Sequence, residues 1–272
     1  MKPEVIASVA DALLAAESNS AMLAPITEWL PGFDVASAYA VLDLIAARRQ
    51  VAGWVPVGRK IGFTNRTIWP RYGVDQPMWA HTWRQTVHHA LDGRARLPIA
   101  RFVQPRIEPE VVFGMAGPAP LSDDPEAILR SVEWIAAGFE IVQSHFPDWK
   151  FKVPDCTAAF GLHAALVVGT PVRVTDANRT TFAKRLPTFE VTLRKGDAVL
   201  ERGVGANVLG SPALALAYLA RVLAAQLTAP PLLAGEIVTT GTITDAWPVA
   251  PGDVVSSDYG VLGLPGLELT LT

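Results

Sequence analysis

Short apolar runs separated by glycine and proline fill the chain from about residue 55 to its end, and this punctuation constrains the fold most strongly. Runs such as VPVGRKIGF, GFEIVQS and HAALVVGTPV have the length of β-strands and are bounded by turn residues. Gly196-Asp197, within TLRKGDAVLERG, marks the turn of a predicted hairpin. The strands do not alternate regularly with helices, so we expect a mixed β-roll or sandwich rather than a doubly wound sheet.

Two helices are predicted at the start of the chain. Residues about 3–17 and 34–50 carry apolar side chains at helical spacing, and Asp34 is a suitable N-cap for the second helix. The sequence therefore predicts an N-terminal helical portion over residues 1–55.

Two further helices are expected to interrupt the strands. One begins at the Asp-Asp-Pro sequence of residues 123–125 and ends near Gly138, and the other begins at the Ser-Pro pair of residues 211–212. Residues 56–272 are therefore predicted to form a β-roll domain with peripheral helices. The predicted fold class is α+β.

Composition excludes several kinds of protein. The net charge of −3 gives no indication of nucleic-acid or membrane-surface binding, and the single cysteine, Cys156, excludes an internal disulfide framework and a multi-cysteine zinc site. The uncharged stretch at residues 203–220 contains Asn207 and Gly210, so we interpret it as a loop and a core helix rather than a membrane span. The sequence predicts a soluble, cytoplasmic protein.

The segment RIEPEVVF, residues 106–113, places two carboxylates inside an apolar strand. Side chains at alternate positions of a strand share a face, so Glu108 and Glu110 lie close enough to repel each other. Glu140 enters the next apolar run in the same way, within FEIVQS. Two interpretations stay open: the glutamates bind a hard divalent cation such as Mg²⁺ or Mn²⁺, or they are solvated residues of a half-exposed sheet, as Glu190 in FEVTL could be.

Five segments, in their order along the chain, resemble the 2-keto-4-pentenoate hydratase family of the fumarylacetoacetate hydrolase-like superfamily. These segments are GRKIGFTNRTIWPRYGVDQPMWA, QPRIEPEVVFGM, GFEIVQS, VPDCTAAFGLHAALVVG and TTGTITDAWPVAPGD. The resemblance runs from about Gly58 to the C-terminus. It implies the fumarylacetoacetate hydrolase type of β-roll.

The resemblance also implies a metal-dependent reaction. Glu108, Glu110 and Glu140 match the family's three carboxylates, which hold Mg²⁺ or Mn²⁺. The implied substrate is a 2-hydroxy-2,4-dienoate or its 2-oxo tautomer, whose carboxylate and 2-oxygen chelate the ion. The implied activity is the addition of water to give a 4-hydroxy-2-oxo acid, in meta-cleavage catabolism of aromatic compounds.

Other site residues are implied by the same resemblance. Lys60 matches a general acid or base near the metal, and apolar neighbours Ile61 and Phe63 favour a lowered pKa for its amine. Phe63 is also predicted to contact the substrate. Asp75 either forms a turn before Pro77 or orients Lys60 or a water molecule.

Small polar residues complete the predicted substrate site. Thr240, Gly241 and Thr242 offer hydroxyl or backbone N–H groups to a substrate carboxylate, unless they simply form a tight turn. Ser144 faces the same way as Glu140 and is predicted to contact the substrate. His145 is the histidine that we single out for a test of substrate contact.

The sequence departs from the family pattern at two places. Gln143-Ser144-His145 stands where many relatives carry an arginine that would hold an acidic substrate tail. Met78-Trp79 replaces a smaller or acidic pair, and with Trp69 and Trp83 nearby it favours an apolar or aromatic tail.

Three alternative functions stay open. A 2-oxo-3-enoate decarboxylase of the same family would share the metal site and the enolate chemistry. An acylpyruvate hydrolase would use a His-Glu pair, and no histidine lies between Lys60 and His81. A non-catalytic 2-oxo acid binding protein would not need the full set of acidic residues and lysine. We also expect a homo-oligomer, and a metabolic partner enzyme is a further possibility.

Overall fold

The computed structural model describes residues 1–66, 69–72, 76–226 and 229–272. The α-helices in these residues are α1 Pro3–Ser18, α2 Ile26–Trp29, α3 Val35–Val51, α4 Trp69–Tyr72, α5 Pro125–Leu129, α6 Val153–Ala158, α7 Asp176–Arg185 and α8 Pro212–Ala225. The strands are β1 Pro56–Gly62, β2 Met78–Trp83, β3 Val87–His89, β4 Arg94–Leu97, β5 Arg106–Met115, β6 Val132–Val142, β7 His163–Val168, β8 Val172–Arg173, β9 Glu190–Lys195, β10 Ala198–Val204, β11 Ile237–Thr239, β12 Trp247–Pro248, β13 Val254–Asp258 and β14 Leu267–Leu271.

The strands form two mixed sheets. The larger has the order β2-β1-β11-β5-β6-β7-β3, with β12 paired to β5 and β8 paired to β6. The smaller has the order β10-β9-β13-β14-β4. Parallel pairs, such as β1 with β11 and β3 with β7, stand among antiparallel ones. The prediction of an α+β fold with a mixed sheet and peripheral helices is confirmed.

The N-terminal helices begin and end close to their predicted positions. The Asp34 carboxylate accepts a hydrogen bond from the Ser37 N–H at 2.8 Å, so the predicted N-cap of α3 is confirmed. Strand β1 then begins at Pro56. The division of the chain into two portions at residue 55 stays a prediction.

A separate apolar cluster joins these helices to a later segment of the chain. Leu13, Ile26 and Ile45 pack in one buried cluster with Phe146 and Phe160. A buried carboxylate adds a polar link, because Asp155 accepts hydrogen bonds from the Thr27 N–H at 2.8 Å and the Thr27 hydroxyl at 2.9 Å. The N-terminal helices therefore support the segment that follows β6.

Strands β5 and β6 form the longest antiparallel pair and set the register of the acidic residues. Glu108 lies directly opposite Glu140, and Glu110 lies opposite Gly138. A Cβ atom at position 138 would come within 2.4 Å of the Val112 Cγ2, so glycine is required at this position. The register thus brings carboxylates from both strands to one face of the sheet.

The helix predicted from residue 123 to near Gly138 is wrong beyond Leu129. Asp124 caps α5 by accepting a hydrogen bond from the Glu126 N–H at 3.0 Å, but the helix ends at Leu129 and β6 begins at Val132. Periodicity cannot separate a buried strand from a buried helix in a short apolar run. The short α6 and the polar α7, in which only Phe182 is buried, were not predicted.

The predicted hairpin and the last predicted helix are both confirmed. Gly196 has a φ of 55° in the turn between β9 and β10, and Ser211 caps α8. The segment Gly205–Ala225 is apolar and long enough to cross a membrane, and 56% of the 18-residue window that meets this test is buried inside the protein. Its buried leucines belong to the main core cluster, as in a core helix.

Candidate functional site

Three glutamates converge on the face shared by β5 and β6. One carboxylate oxygen from each of Glu108, Glu110 and Glu140 lies within 4.8 Å of the others. Glu110 and Glu140 are fully buried, and Glu108 is half-buried. The interpretation as solvated outer-face residues is therefore wrong for these three, whereas Glu190 does have an exposed side chain.

Each of the two buried carboxylates has one oxygen held by the protein and one that is not. Glu110 Oε2 accepts the Gly241 N–H at 2.7 Å, and Glu140 Oε1 contacts His163 Nδ1 at 2.7 Å. Within the described part of the chain, Glu110 Oε1 and Glu140 Oε2 have no hydrogen-bond partner. Buried oxygens without a hydrogen bond are costly, and a divalent cation would coordinate both, beside the Lys60 ammonium that faces Glu140 Oε2 at 3.3 Å. The residues present therefore fit a hard metal ion.

Lys60 reaches the same point from β1. Its Nζ donates a hydrogen bond to the Gly161 carbonyl at 3.0 Å and lies 3.3 Å from Glu140 Oε2. Burial lowers the pKa of Lys60, but the negative charges of Glu140, Glu108 and Glu110 outweigh burial, so the pKa is raised. The expectation of a lowered pKa is wrong here because it considered the apolar neighbours and not the carboxylates.

A left-handed backbone segment presents the carbonyl that Lys60 uses. Phe160, Gly161 and Leu162 have φ values of 58°, 60° and 65°. Such a conformation is unfavourable for residues other than glycine and persists only where the surrounding structure holds it. At the middle position a Cβ would lie 2.8 Å from the Ala80 Cβ. The segment therefore fixes the Lys60 amine at a cost in backbone strain.

The surroundings shift the pKa values of the three carboxyl groups by different amounts and in different directions. Burial raises the pKa of Glu108 to about 7, against the opposing charge of Lys60. Burial, with the charges of Glu140 and Glu108, raises the pKa of Glu110 well above its ordinary value. Burial acts the same way on Glu140, but the effects of Lys60 and His163 outweigh it and hold the pKa at about 2. The surroundings thus favour the ionised form of Glu140 and the protonated form of Glu110.

Glu108 and Lys60 line a cavity of about 220 Å³, whereas Glu110 and Glu140 are not on its wall. Lys60, Glu108 and Gly241 are on its wall together with a largely apolar set of side chains. That set includes Ile61, Phe63, Met78, Val142, Trp149, Phe151 and Leu162. The wall also carries Arg106, Asn65, Asp245 and three threonines, so the acidic, lysine-containing part is joined by both apolar and polar groups. This suits a small acid with an unsaturated tail.

Gly241 and Thr242 line the cavity and Thr240 does not, and most polar groups of this segment already form hydrogen bonds within the protein. The Thr240 hydroxyl donates to the Val111 carbonyl at 2.9 Å, and the Thr242 hydroxyl donates to the Thr244 carbonyl at 2.8 Å. The Gly241 N–H, predicted to bind substrate, binds Glu110 instead. A Cβ at position 241 would lie 1.9 Å from the hydroxyl oxygen of Thr64, and φ is 98°, so glycine is required there.

Two other predicted residues, Ser144 and His145, are not brought to the cavity wall. The Ser144 hydroxyl donates to the Phe146 carbonyl at 2.9 Å and closes a turn. His145 Nδ1 contacts the Ala21 carbonyl at 2.8 Å, so this ring faces the N-terminal helices. Asp75 lies outside the described residues.

Several cavity residues were missed in the sequence. Arg106, on the face of Glu108, reaches the cavity and stacks over the Trp149 ring at 4.2 Å, so an arginine is present although none follows Glu140. Trp79 and Trp83 are buried and do not line the cavity; Trp149 and Phe151 do. His163, which contacts Glu140, was also not predicted. Alternation along β5 could have identified Arg106, but no local signal distinguishes the others.

The chain is similar to known proteins both in sequence and in fold. The family described as fumarylacetoacetate (FAA) hydrolase C-terminal matches residues 75–268. A 2-keto-4-pentenoate hydratase from Burkholderia vietnamiensis is 32% identical over 88% of this chain and 87% of its own length. A 2-hydroxyhexa-2,4-dienoate hydratase from Comamonas testosteroni is 30% identical over 91% of each chain. The 4-oxalocrotonate decarboxylase of Pseudomonas putida G7, solved with magnesium and adipate, superposes with a TM-score of 0.89 at 25% identity, over 100% of this chain and 99% of its own.

Proposed function

This chain belongs to the 2-keto-4-pentenoate hydratase family of the fumarylacetoacetate hydrolase superfamily, and from that membership we propose that it hydrates a 2-hydroxy-2,4-dienoate. The product is a 4-hydroxy-2-oxo acid, formed in the breakdown of aromatic compounds. One observation carries the proposal: among the described residues, two buried carboxylate oxygens, Glu110 Oε1 and Glu140 Oε2, have no hydrogen-bond partner and lie next to Glu108, which lines the cavity together with Lys60.

Glu108, Glu110 and Glu140 would hold the ion, Mg²⁺ or Mn²⁺. When bound, a divalent cation supplies Lewis-acid stabilisation of negative charge on the substrate's 2-oxygen. The related decarboxylase was solved with magnesium, which agrees with an all-oxygen site of this kind.

Lys60 is the proton carrier in the proposed reaction. Ketonisation of the dienol moves a proton from the 2-hydroxyl to C5, and the conjugated enone then takes up water at C4. The Lys60 Nζ is on the cavity wall and is held by the Gly161 carbonyl, so as an ammonium it can donate a proton to C5 and then take up the 2-hydroxyl proton from the same fixed position. Phe63, Met78 and Phe151 would exclude bulk water from the dienoate tail.

One alternative function has a specific observation in its favour. The similarity to 4-oxalocrotonate decarboxylase supports loss of CO₂ from a 2-oxohexenedioate at the same site. The acylpyruvate hydrolase alternative has no such support, because no histidine is among the described residues that line the cavity. His81 itself is buried between Trp79 and Trp83.

A substrate comparison tests the proposal. The purified protein with Mg²⁺ or Mn²⁺ is mixed with 2-hydroxypenta-2,4-dienoate, 2-hydroxyhexa-2,4-dienoate, an aryl dienoate and 2-oxohexenedioate. We expect loss of dienoate absorbance, a 4-hydroxy-2-oxo acid in the NMR spectrum, and no activity after chelation with EDTA. Faster release of CO₂ from 2-oxohexenedioate than hydration of any dienoate would establish the decarboxylase instead. A clear preference for a dicarboxylic over an apolar or aryl tail would reject the predicted tail preference.

We expect cation binding to release protons and to become tighter as pH rises. The raised pKa values of Glu108, at about 7, and of Glu110 favour protons that an ion would have to displace, whereas the pKa of Glu140 is held at about 2. Calorimetric titration with Mn²⁺ at about pH 6 and about pH 8, in two buffers of different ionisation enthalpy, measures both effects. An affinity independent of pH would contradict the assigned protonation states.

The same groups make the stability of the metal-free protein depend on pH. A raised pKa means that the protonated form is favoured by folding, so the contribution of Glu108 to stability is complete below its unfolded value of 4.5 and is lost as pH rises through about 7. Stabilisation by added cation should therefore grow over this window.

The location and assembly of the protein are part of the proposal. We propose a soluble, cytoplasmic homo-oligomer that acts on a small-molecule acid, in keeping with the family. A metabolic partner enzyme stays a prediction. Size-exclusion chromatography with light scattering measures the oligomeric state.

A further inference from the structure

Glu140 is held differently at its two oxygens, and a histidine causes the difference. Oε1 lies 2.7 Å from His163 Nδ1, whereas Oε2 has no hydrogen-bond partner among the described residues and faces Lys60 Nζ at 3.3 Å. An ionised carboxylate can only accept, so His163 donates through Nδ1–H. This contact determines which oxygen of Glu140 is left for a ligand.

His163 is itself fixed from the other side. It is the first residue of β7, in register with Val142 of β6, and is only 4% exposed. Its Nε2 lies 2.8 Å from the Thr86 hydroxyl oxygen. Thr86 is anchored in turn, because its hydroxyl contacts the backbone N–H and carbonyl of Trp83 at 3.3 and 3.0 Å. Both ring nitrogens are therefore constrained, and the imidazole has one orientation.

Glu110 is held in a similar way to Glu140, but by a backbone group instead of a side chain. Its Oε2 accepts a backbone N–H from Gly241, and its Oε1 is the oxygen without a partner. In both carboxylates the protein holds one oxygen, and the other is directed to the cluster. The Gly241 N–H cannot be removed without replacing a glycine that the backbone requires, whereas the histidine can be exchanged.

We infer that His163 is a positioning residue that orients Glu140 so that Oε2 faces the divalent cation, and that it thereby increases cation affinity. The inference rests on the proposed function, since it assigns an ion to the three glutamates. Groups that orient ligating side chains typically account for about 10–100-fold in metal affinity. We expect a loss of that size without His163.

Binding of Mn²⁺ alone tests the inference without any turnover assay. Free Mn²⁺ is measured by electron paramagnetic resonance for the wild type and for His163→Leu, His163→Asn and Thr86→Val. Asparagine can place an N–H donor close to the Nδ1 position, while leucine cannot. We expect His163→Leu to weaken binding about 10–100-fold, His163→Asn to recover most of the loss, and Thr86→Val to fall between them.

The thermal stability of each EDTA-treated variant separates orientation from general damage to the fold. If His163 orients Glu140, the leucine variant should bind Mn²⁺ more weakly and the asparagine variant should restore binding. This pattern should not depend on small changes in melting temperature. Equal affinity in His163→Leu and the wild type, or equal losses in the leucine and asparagine variants, would overturn the inference alone. If the wild type fails to bind Mn²⁺, the proposed function falls as well. Should the leucine variant not fold, the asparagine and valine variants still decide the question.

Discussion

Replacing Glu110 by glutamine should lower kcat/KM by about a thousandfold. A bound cation provides several kcal/mol of transition-state stabilisation, and each 1.36 kcal/mol, roughly, corresponds to a factor of ten in rate. Glutamine keeps the shape of the side chain and an oxygen for the Gly241 N–H, but it removes the charge that would balance the ion. We also expect Mn²⁺ affinity to fall by more than about a hundredfold, beyond the loss from removing a supporting group.

The same variant should fold at least as well as the wild type when no ion is present. Burial raises the pKa of Glu110 well above its ordinary value, so the folded protein favours the neutral form of this group. Glutamine is neutral at every pH and removes the penalty for burying a charge. Thermal denaturation in EDTA measures this directly. A large fall in melting temperature would assign Glu110 to the fold rather than to the ion.

Glu190→Gln is the matched control for this experiment. Glu190 is also a strand glutamate in an apolar run, but its side chain is 57% exposed and pairs with Arg202 at 2.9 Å on the surface. An exposed pair of this kind contributes about 0–1 kcal/mol. The control should keep full activity and Mn²⁺ affinity. Equal losses in both variants would show that the effect at Glu110 is not specific to the site.

Lys60→Met should lower kcat by about 10²–10⁴-fold, the usual contribution of a general acid or base. Methionine has a similar length and an apolar end, so it fits a buried position beside Ile61. The variant should still bind Mn²⁺, with equal or greater affinity, because the Lys60 charge repels a cation at the glutamates.

This combination separates the lysine from the metal ligands. Retained Mn²⁺ binding with lost turnover would place Lys60 in the chemical step, whereas parallel loss of both would make it a structural partner of Glu140. The exposed Lys184→Met on α7 is the control and should leave both quantities unchanged. Full activity in Lys60→Met would remove the lysine from the mechanism.

The acidic cluster was predictable in part because strand alternation is a local rule. Glu108 and Glu110 follow from that rule, since two residues on one face of β5 must lie close together. The position of Glu140 opposite Glu108 depends on strand register, and register was not evident from the sequence. The resemblance to the hydratase family was needed to predict that Glu140 joins the other two glutamates.

The unpredicted features depend on partners that are distant in the sequence. His163 contacts a glutamate 23 residues away and a threonine 77 residues away in the sequence. Its own segment has the pattern of an ordinary apolar strand, which gives no sign of these contacts. The Gly241 N–H reaches a carboxylate 131 residues away, so a local reading assigned it to substrate. The end of α5 was misplaced because β6 is apolar on both faces, and β5 and β7 hold it in the sheet.

The cluster that joins α1–α3 to the segment after β6 has a consequence for how the site can open. Phe146 and Phe160 belong to that cluster, and between them and just beyond lie Trp149, Phe151 and Gly161 of the cavity wall. Any fluctuation that detaches the N-terminal helices would also release the Gly161 carbonyl, which holds the Lys60 amine. Amide hydrogen exchange in residues 3–51 would then report on catalytic competence, and protection there should rise whenever a ligand tightens the wall.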